Sequence, residues 1–358
     1  MSFRAASKFR VLFVATSGVL LLTLTACGIH PVGGKLPTKT ESPEATATPT
    51  VSAVPTNSIS GREGEDGRVL AVKIDDTFQA QPQIGIGDAD VVYIEQVEAG
   101  LTRLLAIFSS TYPESIGPVR SARISDIDLL AQYGHVAFTY SGAQTKMLPV
   151  IRAANVQDLG AERESSQIYP RDPARNGPVD MLLKAQILMN RLTEQNVSIA
   201  TSKNMGWNFG DAPASGNPTA AVSMFWPSNT YYASWSTKES RWLLFERGLP
   251  DMASDGKQLG PTTLVIQNVS ITNSIYHDKF GGITPLSATV GAGTGYILRD
   301  GLRYAANWSR ATAADGTTWT RPDGTPILFA PGQIWIALTN TAPFFTLPNV
   351  SPSPIETK

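Results

Sequence analysis

Between Arg68 and Tyr140, apolar and polar positions alternate in short runs. Four of these runs read as strands: Arg68 to Asp75 (RVLAVKID), Asp90 to Val97 (DVVYIEQV), Leu101 to Ser109, and His135 to Tyr140. Gly85, Gly87, Gly100 and Gly117 punctuate the connections. Between the third and fourth runs, Ile124, Ile127, Leu130 and Ala131 recur at helical spacing, with Ser121 or Ser125 placed to cap the start. A second helix is expected over Ala143 to Ala154, interrupted at Pro149. A third is expected over Pro178 to Gln195, where Val179, Leu182, Leu183, Ile187, Leu188 and Leu192 form an apolar stripe.

Residues 201–218, rich in Gly, Pro and Asn, read as a connection, and beyond them the pattern is nearly pure β. Runs such as Tyr231 to Ser236, Arg241 to Arg247, Thr263 to Val269, Ser287 to Val290, Leu302 to Trp308 and Ile334 to Leu338 fit strands. Asp255-Gly256, Asp300-Gly301, Asp315-Gly316 and Asp323-Gly324 mark hairpin turns. The expected class is α+β: a mixed α/β domain over 62–200, then an antiparallel β-rich domain over 219–346 and a loose tail over 347–358. Trp226, Trp235, Trp242, Trp308, Trp319 and Trp335 all fall in the β half, where core packing competes with a sugar-stacking surface.

The N-terminus changes the picture from a plain globular chain to a secreted one. Arg4, Lys8 and Arg10 precede an apolar run, Val11 to Leu24, that ends in Leu24-Thr25-Ala26-Cys27. Small residues before a cysteine match the bacterial lipobox. Residues 1–26 are therefore read as a signal peptide, and Cys27 as the lipidated first residue of an anchored protein on the outer face of the membrane. Cys27 is the single cysteine of the 358 residues, which excludes a disulfide or a thiolate metal site. Residues 27–61, spaced with Pro, Thr and Ser, read as an extended tether. Without the leader, 26 basic residues face 30 acidic ones, a balance with no electrostatic footprint for nucleic acid.

The sharpest chemistry lies in Ile116-Gly117-Pro118-Val119-Arg120-Ser121-Ala122-Arg123, with Arg103 at the start of the preceding strand. Guanidinium forks suit phosphate and carboxylate, and Gly117 permits close backbone approach. Amide groups of a helix start near Ser121 to Ser125 would add donors. Against a ligand pocket stands the plainer reading that Arg120 and Arg123 pair with Glu95, Glu98, Asp126 or Asp128. Glu95 and Glu98, three residues apart, would face opposite ways on a regular strand, so a shared acid–base pair is not indicated. Pairing of one of them with Arg103 is expected instead. Arg171, Asp172, Arg175 and Asn176 form a polar loop that could cover the same pocket. Ser141-Gly142 lacks the G-x-S-x-G pattern of a nucleophile turn. The three histidines form no zinc motif, and neither a metal, a cofactor nor a catalytic residue is assigned.

The segments VVYIEQVEAGLTRLLAIF and ESIGPVRSAR, with YYASWSTKESRWLLFERG, DGKQLGPTTLVIQNV and DGTPILFAPGQIWIAL further on, resemble the YerB-like bacterial lipoproteins. That family carries domain of unknown function 3048 in N- and C-terminal parts. The resemblance spans roughly Arg68 to Leu338 and implies a mixed domain followed by a β-rich one on a lipid-anchored exterior protein. It carries signature positions Glu95, Glu98, Gly100, Thr102, Arg103, Gly117, Pro118, Arg120, Ser121 and Arg123, and no established catalytic residues. Where the family usually has an Ala-Pro-His-Asn-like stretch, this chain reads Ala174-Arg175-Asn176-Gly177-Pro178, so no role for that histidine carries over. Three functions compete. The leading one is an envelope binding or accessory lipoprotein holding an anionic cell-wall ligand in an Arg-lined pocket. The others are a phosphotransferase or hydrolase acting on an envelope glycopolymer or lipid-linked precursor, and a scaffold docking a membrane enzyme.

Overall fold

In a computed structural model, residues 54–348 are described; the expected signal peptide, Cys27, and most of the expected tether and tail lie outside them. The alternating runs of the first half form β1 (Leu70–Asp75), β2 (Val91–Gln96), β3 (Thr102–Phe108) and β4 (Val136–Thr139), with a short β5 (Val156–Asp158) beyond. The helices are α1 (Ile124–Ala131), α2 (Leu148–Ala153) and α3 (Ala185–Glu194). At 12% helix and 40% strand, the chain is mostly β, so the α+β expectation holds only in part.

The reason is visible in the third expected helix. Only Ala185–Glu194 is helical, whereas Pro178 and Val179 lie in a turn and Met181 and Leu183 form β-bridges. Leu183 exchanges backbone hydrogen bonds with Ile116, and Val119 donates to the Met181 carbonyl, so this segment flanks the Arg loop. The close approach explains Gly117: a Cβ there would sit 2.8 Å from Leu182 and 3.0 Å from the Met181 carbonyl oxygen. Its glycine serves chain packing.

One sheet runs through both halves of the chain. Its order is Thr318–Thr320, Leu302–Arg310, Gly291–Arg299, Thr263–Asn268, Ile334–Thr339, then β2, β3, β1, β4 and β5. The join is parallel, with Ile334 to Ala337 in register with Val91 to Ile94. A second, antiparallel sheet holds Leu249–Pro250, Arg241–Glu246, Asn229–Ser236, Ala221–Trp226 and Phe344–Thr346. Segment 201–218 is pinned rather than free: Trp207 is buried, and Asn208–Phe209 pairs with Leu328–Phe329. The fold also starts before residue 62, with Ile59 in the core and the Asn57 amide bonded to Ser109 Oγ at 2.9 Å.

Because side chains alternate along a strand, β1–β3 feed two cores. Leu70, Val72, Ile74, Val92, Ile94, Leu104 and Ala106 pack under α3 and the second sheet. Ala71, Tyr93, Leu105 and Ile107 pack under α1 and α2. Trp226, Trp242, Trp308, Trp319 and Trp335 are all buried within these cores, which leaves core packing as their use. Both cores end in charge at the same end of β1, at the consecutive residues Asp75 and Asp76.

Candidate functional site

On the α1 face, β1 and its neighbours end in Lys73, Asp75, Glu95 and Arg103. Asp75 and Glu95 are both in register with Arg103, which places the three on one face. The Arg loop runs along the end of β1: Arg120 N–H donates to the Lys73 carbonyl at 2.8 Å, and Asp75 N–H donates to that of Pro118 at 2.9 Å. These bonds carry Arg120 and Arg123 over Arg103.

The deepest part of this region is a buried triad. Lys73 Nζ lies 2.7 Å from both Glu95 Oε1 and Asp126 Oδ1, with all three side chains out of solvent. Burial raises the Glu95 carboxyl, with the Asp126 carboxylate adding to the rise and Lys73 opposing it. Asp126 Oδ2 also accepts the Arg123 N–H at 2.6 Å, so α1 is capped by its own third residue rather than by a serine. The helix-start donors anticipated for a ligand are thus partly committed: Ala122 N–H goes to the Gly142 carbonyl and Arg123 N–H to Asp126.

Above the triad the three arginines divide. Arg120 Nε bonds to the buried carboxylate of Asp75. Arg123 places Nε and Nη2 on Glu98 Oε2 at 2.9 and 2.7 Å. Burial alone would raise Glu98, but the charge and hydrogen bonds of Arg123 outweigh it and hold Glu98 below its usual value. Glu98 therefore pairs with Arg123, not with Arg103. Arg103 bonds only to the Ser121 carbonyl at 3.0 Å and has no carboxylate within 4.0 Å among the described residues. Burial, then the Arg123 and Arg120 charges, lower its guanidinium to about 9.

These groups line an open cleft of about 540 Å³. Its far wall is a hairpin from the second half of the chain, Ile271–His277 paired with Ile283–Ser287, whose turn brings His277, Asp278, Lys279 and Phe280 to the rim. The hairpin is fastened by Thr284 Oγ1 to Glu98 Oε1 and by Ser287 N–H to Ser125 Oγ at 2.9 Å. Asp278 is spent on its own turn, accepting the amides of Phe280 and Gly282 at 2.9 Å each. Lys279 forms no ion pair among the described residues and lies 4.9 Å from the Phe280 ring centroid.

Arg103, Arg120, Ser121, Arg123 and Glu98 thus come together, while Glu95 lies beneath them and Gly117 outside the cleft. Arg171, Arg175 and Asn176 do not cover this cleft. Arg171 pairs with Asp180 at 2.6 Å, and Arg175 donates to the carbonyls of Ala80 and Pro82 at 2.7 and 2.6 Å. With Asn176, Arg175 lines a separate groove. Sequence reasoning missed Lys73 and Asp75, which read as ordinary strand positions, and the whole Ile271–His277 strand with Lys279. The Asp278-Lys279-Phe280-Gly281-Gly282 stretch was the available signal, since a Gly at φ +87° suits a hairpin turn. Among the described residues no group of three or more His, Cys, Asp or Glu could hold a metal ion.

The paired halves that build this cleft also correspond to two family profiles. The N-terminal domain of DUF3048, a protein of unknown function, matches residues 56–198, and its C-terminal domain matches residues 221–336. The chain belongs to the DUF3048 family. One curated relative, named "Putative lipoprotein YerB" from Bacillus subtilis (strain 168), is 48% identical over 56 residues, 16% of this chain. The match covers only 17% of that relative's length. A crystal structure of the YerB protein from Bacillus subtilis superposes with a TM-score of 0.69 at 20% identity. It covers 81% of this chain and 99% of its own, and so this chain shares its fold.

Proposed function

We propose that this protein is a lipid-anchored binding protein on the outer face of the bacterial membrane, holding an anionic group of the phosphate or carboxylate class in the Arg cleft. The observation that carries the reading is the charge count at the floor. Three guanidinium groups face two carboxylates, and Arg103 is left with a single carbonyl oxygen. A half-buried cation without a paired carboxylate carries a desolvation cost, and a ligand anion would relieve it. The carboxylates at the cleft are engaged, Glu98 by Arg123 and Thr284 and Asp278 by its turn, which favours binding over acid–base catalysis. The leader, the Leu-Thr-Ala-Cys27 sequence and the name of the YerB relative support the anchor.

The direct test titrates inorganic phosphate and pyrophosphate into the protein while following its melting temperature. The parent is stabilised, and Arg103→Gln loses roughly one to two powers of ten in affinity, the worth of one charge-assisted contact. No stabilisation of the parent by either anion would leave the arginines as a structural ion-pair network. The anchor is tested separately: Cys27→Ala releases the protein into the medium or leaves an uncleaved precursor.

A further inference from the structure

The hairpin at the rim carries apolar side chains that the fold leaves uncovered. Phe280 at its turn is 84% exposed, Ile275 79% and Ile283 50%. Isolated exposed apolar residues are ordinary, but three on the one hairpin that runs from Ile271 to Ser287 form a projecting apolar tip. The tip stands beside the cationic cleft: Lys279 precedes Phe280, and both line the same cavity as Arg103, Arg120 and Arg123. The inner side of the hairpin is fixed to the body through Thr284 and Ser287, so the tip is held out rather than folded in.

We propose that this hairpin is a membrane-docking element, and that the anion taken by the cleft is the phosphate of a lipid headgroup in an anionic bilayer. This rests on the binding reading above and names the ligand. An apolar tip flanked by cations matches an anionic bilayer in two layers: the acyl boundary takes Phe280, Ile275 and Ile283, and the headgroup phosphates meet Lys279 and the guanidinium groups. A soluble anion would use the cleft and leave the tip without purpose. A polar polymer would meet the tip as an obstacle. The exposed apolar tip set beside the cations therefore favours a lipid phosphate over either.

The experiment uses the chain from residue 27 onward with Cys27→Ala, which keeps the whole described unit and removes the acyl anchor. It is mixed with vesicles of phosphatidylcholine alone, with vesicles containing phosphatidylglycerol, and with soluble glycerol 3-phosphate. The expected result is sedimentation with the anionic vesicles and not with the neutral ones. Phe280→Ser and Ile283→Ser each weaken vesicle binding roughly tenfold or more, because each removes a buried apolar side chain from the docked state. Ile283→Ser, which lies outside the lining of the cleft, keeps the parent's glycerol 3-phosphate response, which also shows that it folds. If glycerol 3-phosphate binds but the vesicles do not, the docking inference fails and the anion-binding reading stands. If neither binds, both fail. Equal binding to neutral vesicles, vesicle binding unchanged by both tip variants, or a stable dimer abolished by Phe280→Ser would each overturn the docking inference.

Discussion

Asp75 and Asp76 are neighbours in the chain, yet they lead to opposite electrostatic solutions on the two faces of the sheet. Asp75 faces α1 and meets Arg120, in a cluster where each acid has a basic partner and one arginine is left over. Asp76 faces the second sheet, where Thr102 and Tyr231 donate to it and Glu246 and Asp251 crowd it. Burial, then Glu246, raises Asp76 well above the usual carboxylate range. Asp251 is buried with neither carboxylate oxygen hydrogen-bonded, and burial followed by Glu246 pushes it up to about 7. The first face neutralises its charges by pairing, with the Lys73 triad out of solvent and the arginines above it reaching an open cleft. The second buries carboxyls that are raised, which favours their protonated form, with Arg247 3.6 Å from Glu246 as a counter-charge. The proposed anion-binding role rests on the surplus cation of the first face, whereas raised carboxyls occur on both, Glu95 on the first and Asp76 and Asp251 on the second.

The largest break in this comparison comes from the buried triad. Lys73→Met leaves Glu95 and Asp126 without their shared cation and costs about 3–5 kcal/mol of unfolding free energy by denaturant titration. A loss below about 1 kcal/mol would mean that the paired face is not held by pairing.

Next comes the acid face, where the sign follows from the raised carboxyl. A carboxyl whose pKa is higher folded than unfolded gives stability that is complete below the unfolded value and declines as pH rises through the folded one. For Asp251 that window runs from the ordinary 3.8 to about 7. Asp251→Asn does not titrate, so its stability relative to the parent rises by roughly 2–3 kcal/mol between pH 5 and pH 8. A difference that stays flat with pH would remove protonation as the second face's solution.

Within the paired face, Arg103 and Arg120 should separate. Arg120→Gln strands the buried Asp75 carboxylate, so it lowers stability by about 1–3 kcal/mol as well as weakening anion binding. Arg103→Gln removes a cation with no carboxylate partner and leaves the melting temperature near that of the parent or above it. Equal stability losses for the two variants would make Arg103 a structural residue.

How much of this was legible depended on the range of the interaction. β1 to β3, the Arg loop and the Asp300-Gly301 turn are local patterns and fell where alternation and turn chemistry put them. Asp300 and Gly301 indeed take φ of 52° and 70°. Lys73 sits at a polar position of an alternating strand, which reads as solvent-facing. It is fully buried because Asp126, 53 residues away, arrives on α1 to receive it. The shared sheet depends on a parallel pairing of Ile334 to Ala337 with Val91 to Ile94, for which neither strand carries a signal. The hairpin strand Ile271–His277 escaped because its exposed and half-buried residues follow no period of two. The wall of the cleft that matters most for ligand choice was therefore the least visible part.

The smallest expected effect concerns how that wall is held. Thr284 Oγ1 donates to Glu98 Oε1, while Arg123 occupies Glu98 Oε2, so one buried carboxylate ties the Arg loop to the hairpin. Thr284→Val keeps the shape and removes the donor, at a cost of about 1 kcal/mol. The pH dependence separates this from a packing defect. Glu98 is held below its usual value, so its contribution is present at neutral pH and lost as pH falls through its folded value. Without the Thr284 bond the carboxylate is less favoured, and the deficit of Thr284→Val should shrink towards zero at acid pH, where Glu98 is protonated in parent and variant alike. The same variant should leave Arg103-dependent pyrophosphate binding within about twofold, because Arg123 still pairs with Glu98. A deficit that persists unchanged at acid pH would assign Thr284 to packing alone and separate the hairpin electrostatically from the paired face.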